Sequence, residues 1–317
     1  MELVGRFAPS PSGRIHLGNL FCSLLAWLSA RSRGGRIILR IEDLDAARCP
    51  MRYARQLEDD LRWMGLTWDE GGERPGGPNG PYYQSLRGEL YAAALEKLRN
   101  MGLVYPCFCT RAELHAASAP HRADGQVIYP GTCRGLTPEE AAERALTRAP
   151  ALRLRVPDRE MAFRDGHMGE CRENLETDCG DFLLRRSDGL WAYQLAVVVD
   201  DAAMGVTEVV RGSDLLSSTP RQLLLYELLE LPAPAFYHAP LLLDAEGRRL
   251  SKRDHDAGLD DLRGRLSPEE IVGRLAYLAG CNPSAEPRTP ESLLPDFDWN
   301  KVPRQDVCIP RELFGTG

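Results

Sequence analysis

Lysine is nearly missing from this chain of 317 residues: Lys97, Lys252 and Lys301 are the only three, so 36 of the 39 basic residues are arginine. Where almost every cation is a guanidinium, a retained ammonium is a candidate for a task that needs a compact point charge. Net positive charge is missing too. The balance is -7 at pH 7, which argues against binding nucleic acid by bulk electrostatics and leaves room for a local basic groove. No run of about 18 apolar residues occurs. The start Met1-Glu2-Leu3-Val4 has no basic and apolar export signal, so a cytoplasmic location away from membranes is expected. No Walker motif or G-x-G-x-x-G fingerprint is present. Nine cysteines, an odd number spread from Cys22 to Cys308, fit reduced thiols or a metal site better than a disulfide framework.

What is there suits one sizeable α/β core and a smaller second unit, since single cores stop growing at roughly 250 to 300 residues. Leu3–Ala8 reads as a strand that enters Pro9-Ser10-Pro11-Ser12-Gly13, a loop barred from helix by its prolines. Leu17, Leu20, Phe21, Leu24, Leu25 and Leu28 recur at helical spacing until Gly34-Gly35. A strand over Arg36–Ile41 follows, then helices marked by Tyr53, Leu57, Leu61 and Met64 and by Leu86, Leu90, Ala94 and Leu98, with Ser85 as N-cap of the latter. Alternating strands and helices predict a Rossmann-like parallel sheet. Residues 1–106 form its first half. From 107 to 186 the pattern breaks into short charged pieces, read as an insertion. The second half, 187–243, resumes with strands at Leu195–Val199 and Val206–Val210, a helix at Pro220–Leu229 and a strand at Leu241–Leu243. A loop and a short helical region, including Pro268–Leu278, occupy 244–317.

Two segments carry the chemistry. Arg6-Phe7-Ala8-Pro9-Ser10-Pro11-Ser12-Gly13, followed by His16-Leu17-Gly18-Asn19, lies between the first strand and the first helix. Ligands of open parallel sheets bind there, where helix N-H groups favour phosphate. Gly18 lets a nucleotide approach the backbone. Alone, His16 reads as an ordinary turn histidine. The second segment, Arg249-Leu250-Ser251-Lys252-Arg253, follows the last expected strand. Alone it is a solvated basic loop, yet an ammonium there could offset charge on a reacting phosphoryl group.

Together the two resemble the HIGH and KMSKS signatures of class I aminoacyl-tRNA synthetases. Asn19 replaces the second histidine of the first, and Arg249 the first lysine of the second. Arg40-Ile41-Glu42-Asp43-Leu44-Asp45, Tyr193–Asp201 and Gly205–Gly212 look like glutamyl-tRNA synthetase blocks in the family's order. The resemblance implies ATP binding by His16, Gly18, Ser251 and Lys252, with His16 and Lys252 catalytic and Mg2+ accompanying ATP. It also implies that L-glutamate lies between Arg6 and Arg211, which hold its carboxylates. Glu42 would face its ammonium, Phe7, Ala8, Pro9 and Ser10 would surround it and Tyr193 would flank it. A ligand with two negative charges and one positive asks for two guanidinium forks and one carboxylate.

In the insertion, Cys107, Cys109 and Cys133 are one donor short of a tetrahedral zinc site, and by themselves they fit zinc and free thiols equally well. They resemble the zinc site of the glutamyl-queuosine tRNA(Asp) synthetases, short relatives of glutamyl-tRNA synthetase, in which a tyrosine completes three cysteines. That makes Tyr129 the fourth ligand of one structural zinc, with His115 and His121 as second choices. Cys171 and Cys179 match no such motif. Only 65 residues follow Lys252, fewer than the roughly 100 to 150 of an anticodon-reading helical domain, and Val197 stands where full-length glutamyl enzymes have asparagine. The resemblance therefore implies a monomeric enzyme that activates glutamate without tRNA and transfers it to queuosine in the anticodon loop of tRNA(Asp). A truncated synthetase charging a tRNA 3' end, a small-molecule nucleotidyltransferase and a non-catalytic zinc-containing RNA-binding module are the rival expectations.

Overall fold

The computed structural model describes residues 2–73, 76–116, 128–250 and 258–315. It opens with β1 (Val4–Phe7), α1 (Leu17–Arg31), β2 (Arg36–Leu39), α2 (Met51–Trp63), β3 (Glu70–Gly71) and α3 (Gly88–Asn100). β1 and β2 pair in parallel from Val4–Arg36 to Phe7–Leu39, and β2 pairs with β3 at Ile38–Glu70. Parallel neighbours need long crossovers, which α1 and α2 provide. α1 buries all six of the leucine and phenylalanine positions at helical spacing. α3 departs from expectation. It buries Tyr91, Leu95 and Leu98, whereas Leu86 and Leu90 are 68% and 43% exposed. Ser85 is not its cap: the Ser85 N-H and hydroxyl donate to the Asp43 carboxylate at 2.9 and 2.6 Å, and Arg87 holds the cap position.

Next come β4 (Val104–Cys107), α4 (Arg111–Ala116), α5 (Pro138–Ala145), β5 (Ala151–Leu154), β6 (Glu160–Asp165), β7 (Gly169–Asn174) and β8 (Phe182–Arg185). β4, β5 and β8 make a separate antiparallel sheet, and β6 and β7 a hairpin. The antiparallel sheet begins at Val104, so the expected boundary at 107 falls inside β4. α5 starts with a capping box between Thr137 and Glu140 and has Pro138 in its first turn.

The parallel pattern returns with α6 (Tyr193–Ala203), β9 (Glu208–Gly212), α7 (Thr219–Leu229), β10 (Ala235–Ala239) and β11 (Leu242–Leu243). Leu195–Val199 is therefore helix, not strand. A short uniformly apolar run carries no period, and its three valines favour strand only where packing does not decide otherwise. Here Leu195–Val199 is buried all round, and the helical turn aims Asp200 and Asp201 at Arg87 and Arg40. β9 pairs in parallel with β10. It lies beside β1, where the Thr207 N-H donates to the Val4 carbonyl at 2.9 Å and the Val4 N-H to Thr207 Oγ1 at 2.8 Å. The spatial order β3-β2-β1-β9-β10 reverses between β1 and β9, the switch point at which such sheets open a ligand crevice.

α8 (Leu259–Arg263), α9 (Pro268–Leu278) and β12 (Val307–Cys308), paired with β11, complete the elements. Successive strand residues face opposite layers. Phe7, Ile37, Leu39 and Val210 pack toward α1, α2 and α9, whereas Val4, Ile38 and Val209 pack toward α3, α6 and α7. Both faces are covered, which is why these strands are apolar without alternation. Among the described residues, no helix is long and apolar enough to cross a membrane.

Candidate active site

A cleft of about 520 Å³ opens at the carboxyl ends of β1 and β9. Its size is that of a small-molecule site. Arg6, Phe7, Ala8, Pro9, Ser10, His16, Gly18, Glu42, Tyr193 and Arg211 all line it, so segments some 200 residues apart meet there. Ser251 and Lys252 lie outside the described residues. On one side of that stretch Arg249 and Leu250 line the cleft, and on the other Gly258 bridges to His16. Asn19 and Arg249, the departures from the signature sequences, line it as well, and Arg249 pairs with Asp214 at 3.4 Å.

Each charged group is held from behind. The Glu42 N-H donates to the Pro9 carbonyl at 3.0 Å, tying the loop after β1 to the end of β2. Burial holds the Glu42 carboxyl above the ordinary carboxylate range, while the positive charges of Arg40 and Arg6 pull it back. Arg40 donates to Glu42 at 3.3 Å and to Asp201 at 2.6 Å. Arg6 is 6% exposed and gives Nη1 to the Val210 carbonyl at 2.8 Å; its nearest carboxylate is Asp201 at 3.9 Å.

Arg211 is 4% exposed and, among the described residues, makes no ion pair. Nε donates to His238 Nε2 at 2.9 Å, Nη1 to Gln222 at 2.7 Å and to the Tyr193 hydroxyl at 3.4 Å, and Nη2 to Thr219 at 2.8 Å. Burial lowers the His238 pKa below its ordinary value against the pull of Asp165, so the imidazole is neutral at pH 7. A buried guanidinium surrounded only by neutral acceptors keeps its charge for an anion.

Away from the cleft, the Cys107, Cys109 and Cys133 sulfurs lie within 4.8 Å of one another. Cys109 and Cys133 Sγ are 3.6 Å apart, and the Tyr129 hydroxyl is 3.4 Å from Cys107 and 3.8 Å from Cys109. A tetrahedron with arms of about 2.3 Å has edges of about 3.8 Å, so the three thiols have donors and spacing that suit zinc, with the Tyr129 oxygen beside them at the fourth position. His121 and the side chain of His115 lie outside the described residues. Cys171 and Cys179 are not drawn into the cluster.

Residues 2–289 match the family described as tRNA synthetases class I (E and Q), catalytic domain. The chain belongs to this class I family. It is 55% identical over 318 residues to Glutamyl-Q tRNA(Asp) synthetase of Symbiobacterium thermophilum, covering 99% of this chain and 98% of that protein. To the protein of the same name from Nitratidesulfovibrio vulgaris it is 52% identical, covering 98% and 96%. The crystal structure of a glutamate tRNA ligase from Elizabethkingia meningosepticum in complex with its amino acid superimposes with a TM-score of 0.83 at 30% identity, over 99% of this chain and 68% of that one. The chain is thus a ligase of the short glutamyl-queuosine branch, with the class I glutamyl-tRNA synthetase-like catalytic fold.

Sequence reasoning missed the residues that hold Arg211 in place. His238, Thr219 and Gln222 belong to no motif, and Asp165, which holds His238, lies 73 residues away from it. Asp200 and Asp201 stood inside a recognised block without a role. Arg40 and Arg87 now supply it as buried ion-pair partners.

Proposed function

We propose that this enzyme activates L-glutamate with MgATP, without needing RNA, and transfers the glutamyl group to queuosine in the anticodon loop of tRNA(Asp). The observation that carries the reading is the meeting in one cleft of two buried guanidiniums, Arg6 and Arg211, with the Glu42 carboxylate; Asp214, the other acid that lines the cleft, is paired with Arg249. That charge pattern is the complement of glutamate. Arg6 and Arg211 hold the two carboxylates, Glu42 takes the ammonium, Phe7–Ser10 shape the backbone around it and Tyr193 flanks it.

In the first step an oxygen of the glutamate α-carboxylate attacks the α-phosphorus of ATP, the bond to the β-phosphate breaks and pyrophosphate leaves. His16, at the start of α1, and Lys252 offset the charge that develops on the phosphoryl oxygens, with Gly18 and Ser251 beside the nucleotide. A Cβ on Gly18 would lie 3.2 Å from the His16 ring, so glycine keeps that edge open. In the second step a hydroxyl of the queuosine cyclopentene ring attacks the activated carbonyl and AMP leaves. Cys107, Cys109, Tyr129 and Cys133 would hold one zinc ion that cross-links the start of the insertion to the segment at 129–133 and takes no part in either step. The chain up to β4 and residues 187–243 then form the catalytic core, β4 to residue 186 the zinc-bearing insertion, in place of the expected start at 107, and 244–317 the signature loop with a short helical region.

Exchange of labelled pyrophosphate into ATP, with glutamate present and RNA absent, tests the first step. Labelled glutamate supplied with tRNA that carries or lacks queuosine tests the second. Exchange with glutamate alone and labelling only of queuosine-bearing tRNA are expected. Periodate-sensitive label on the 3' end of tRNA(Glu) would instead identify a truncated charging enzyme.

A further inference from the structure

We propose that Asp165 and His238 are a positioning pair for Arg211, fixing its guanidinium toward the cleft while leaving its charge uncancelled. The proposal rests on the reading of Arg211 as a carboxylate holder. His238 in β10 is the register partner of Arg211 in β9, so the two side chains stand side by side on the sheet. Arginine can only donate, so His238 Nε2, 2.9 Å from Arg211 Nε, must present a lone pair. The ring proton is then on Nδ1, 2.6 Å from Asp165 Oδ2, and both side chains are fully buried.

Asp165 is itself fixed. Its Oδ1 accepts the backbone N-H groups of His167 at 3.0 Å, Met168 at 2.8 Å and His238 at 3.2 Å, leaving Oδ2 to face the imidazole. The β6–β7 turn that carries it is clamped to β10 by the Gly166 N-H on the Phe236 carbonyl at 2.8 Å. A Cβ on Gly166 would lie 2.2 Å from the Tyr237 ring, so a larger residue could not approach this closely. The other edge of Arg211 is oriented in the same neutral manner, since Gln222 has its amide fixed by Gln194 at 2.9 Å. A carboxylate in place of His238 would orient Arg211 equally well but would compete with the substrate for its charge. An imidazole with the acid one bond further back orients without competing.

Asp165→Asn separates positioning from bulk. Three N-H groups still require the oxygen at the Oδ1 place, so the amide nitrogen must face His238 Nδ1. The ring proton then moves to Nε2, where it opposes the Arg211 N-H. We expect the glutamate KM in RNA-independent pyrophosphate exchange to rise by about tenfold or more, the scale of a lost hydrogen bond to a charged group, with the ATP KM unchanged. In the double variant Asp165→Asn/His238→Gln, the glutamine has one amide oxygen for two facing donors, so the glutamate KM should stay raised; with Asp165 intact, the glutamine can give its oxygen to Arg211 and its N-H to the carboxylate. His238→Leu and His238→Gln, made with Asp165 intact, form a second arm, the former raising the glutamate KM and the latter sparing it. A parental KM in both Asp165→Asn and His238→Leu, or a KM in His238→Gln raised as far as in His238→Leu, overturns the pair. Arg211→Ala separates the two levels of inference: if it too leaves the glutamate KM unchanged, the assignment of Arg211 is at fault, not the pair alone.

Discussion

Arg40 and Arg211 are both buried arginines, yet their surroundings call for different roles. Arg40 is matched by Asp201 at 2.6 Å, Glu42 at 3.3 Å and Asp200 at 3.8 Å, so its charge is consumed within the fold. Removing it leaves Asp200 with Arg87 but strips Asp201 and Glu42 of their nearest cation in a buried site, and Arg40→Met should cost about 3 to 5 kcal/mol in urea unfolding. Arg211→Met strands only neutral acceptors and should cost less, about 1 to 3 kcal/mol, while abolishing glutamate-dependent exchange. Equal stability losses in the two variants would contradict the distinction. His238 adds a pH signature. Its pKa is lowered below the ordinary 6.5, by burial first, so the unfolded chain takes the proton before the folded one as pH falls. The stability linked to it is complete above about pH 6.5 and is lost as pH falls through the folded-state value. Asp165 repeats this lower down: burial would raise its carboxyl, but the His238 hydrogen bond and the turn N-H groups bring it below the ordinary 3.8. Its share is present above that value and lost beneath it. Urea melts between about pH 5 and 7.5 should slope upward in the parent and flatten in His238→Gln.

At the scale of elements, legibility followed whether a segment carried its own period. α1 was readable because its leucines mark one helical stripe and a glycine pair ends it, and β1 and β2 because short apolar runs stood between turns. α6 was not, since Leu195–Val199 is buried on every side and so has no polar face to set its phase. α3 was misphased by two exposed leucines that mimic a buried face. The cleft-lining residues were legible through their resemblance to a family. The Asp165–His238 pair had no such signal, because it exists only once β6 is laid against β10. α9 shows tertiary context reversing a local rule. An alanine within a helix ordinarily adds about 1 kcal/mol over glycine. A Cβ on Gly273 would sit 1.9 Å from the Glu286 carbonyl oxygen, so the chain beyond the helix would have to move. Gly273→Ala should therefore destabilise, by about 1 to 3 kcal/mol in denaturant melts; a gain would mean that segment 286–287 yields freely.

Across the whole molecule, the cleft and the thiol cluster draw on different parts of the fold. The cleft stands on the two apolar layers that cover the parallel sheet. The cluster stands on a small core of its own, Tyr105, Cys107, Phe108, Tyr129 and Cys133. So few side chains bury too little surface to hold a loop without a cross-link, and a structural metal is the usual remedy in cores of this size. None of the cluster residues lines the cleft, and Asp165, which links the insertion to Arg211, is anchored by its own turn and by β10 and not by the thiols. On the proposed reading the parent should carry about one equivalent of zinc per chain and Cys133→Ser should lose it, measured by atomic emission on protein purified without chelator. The adenylation half-reaction should stay within about threefold of the parent, because its binding groups are positioned elsewhere, while transfer to RNA, which a distorted insertion would misdock, falls further. If exchange and transfer dropped together, the thiol cluster would be supporting the catalytic core itself.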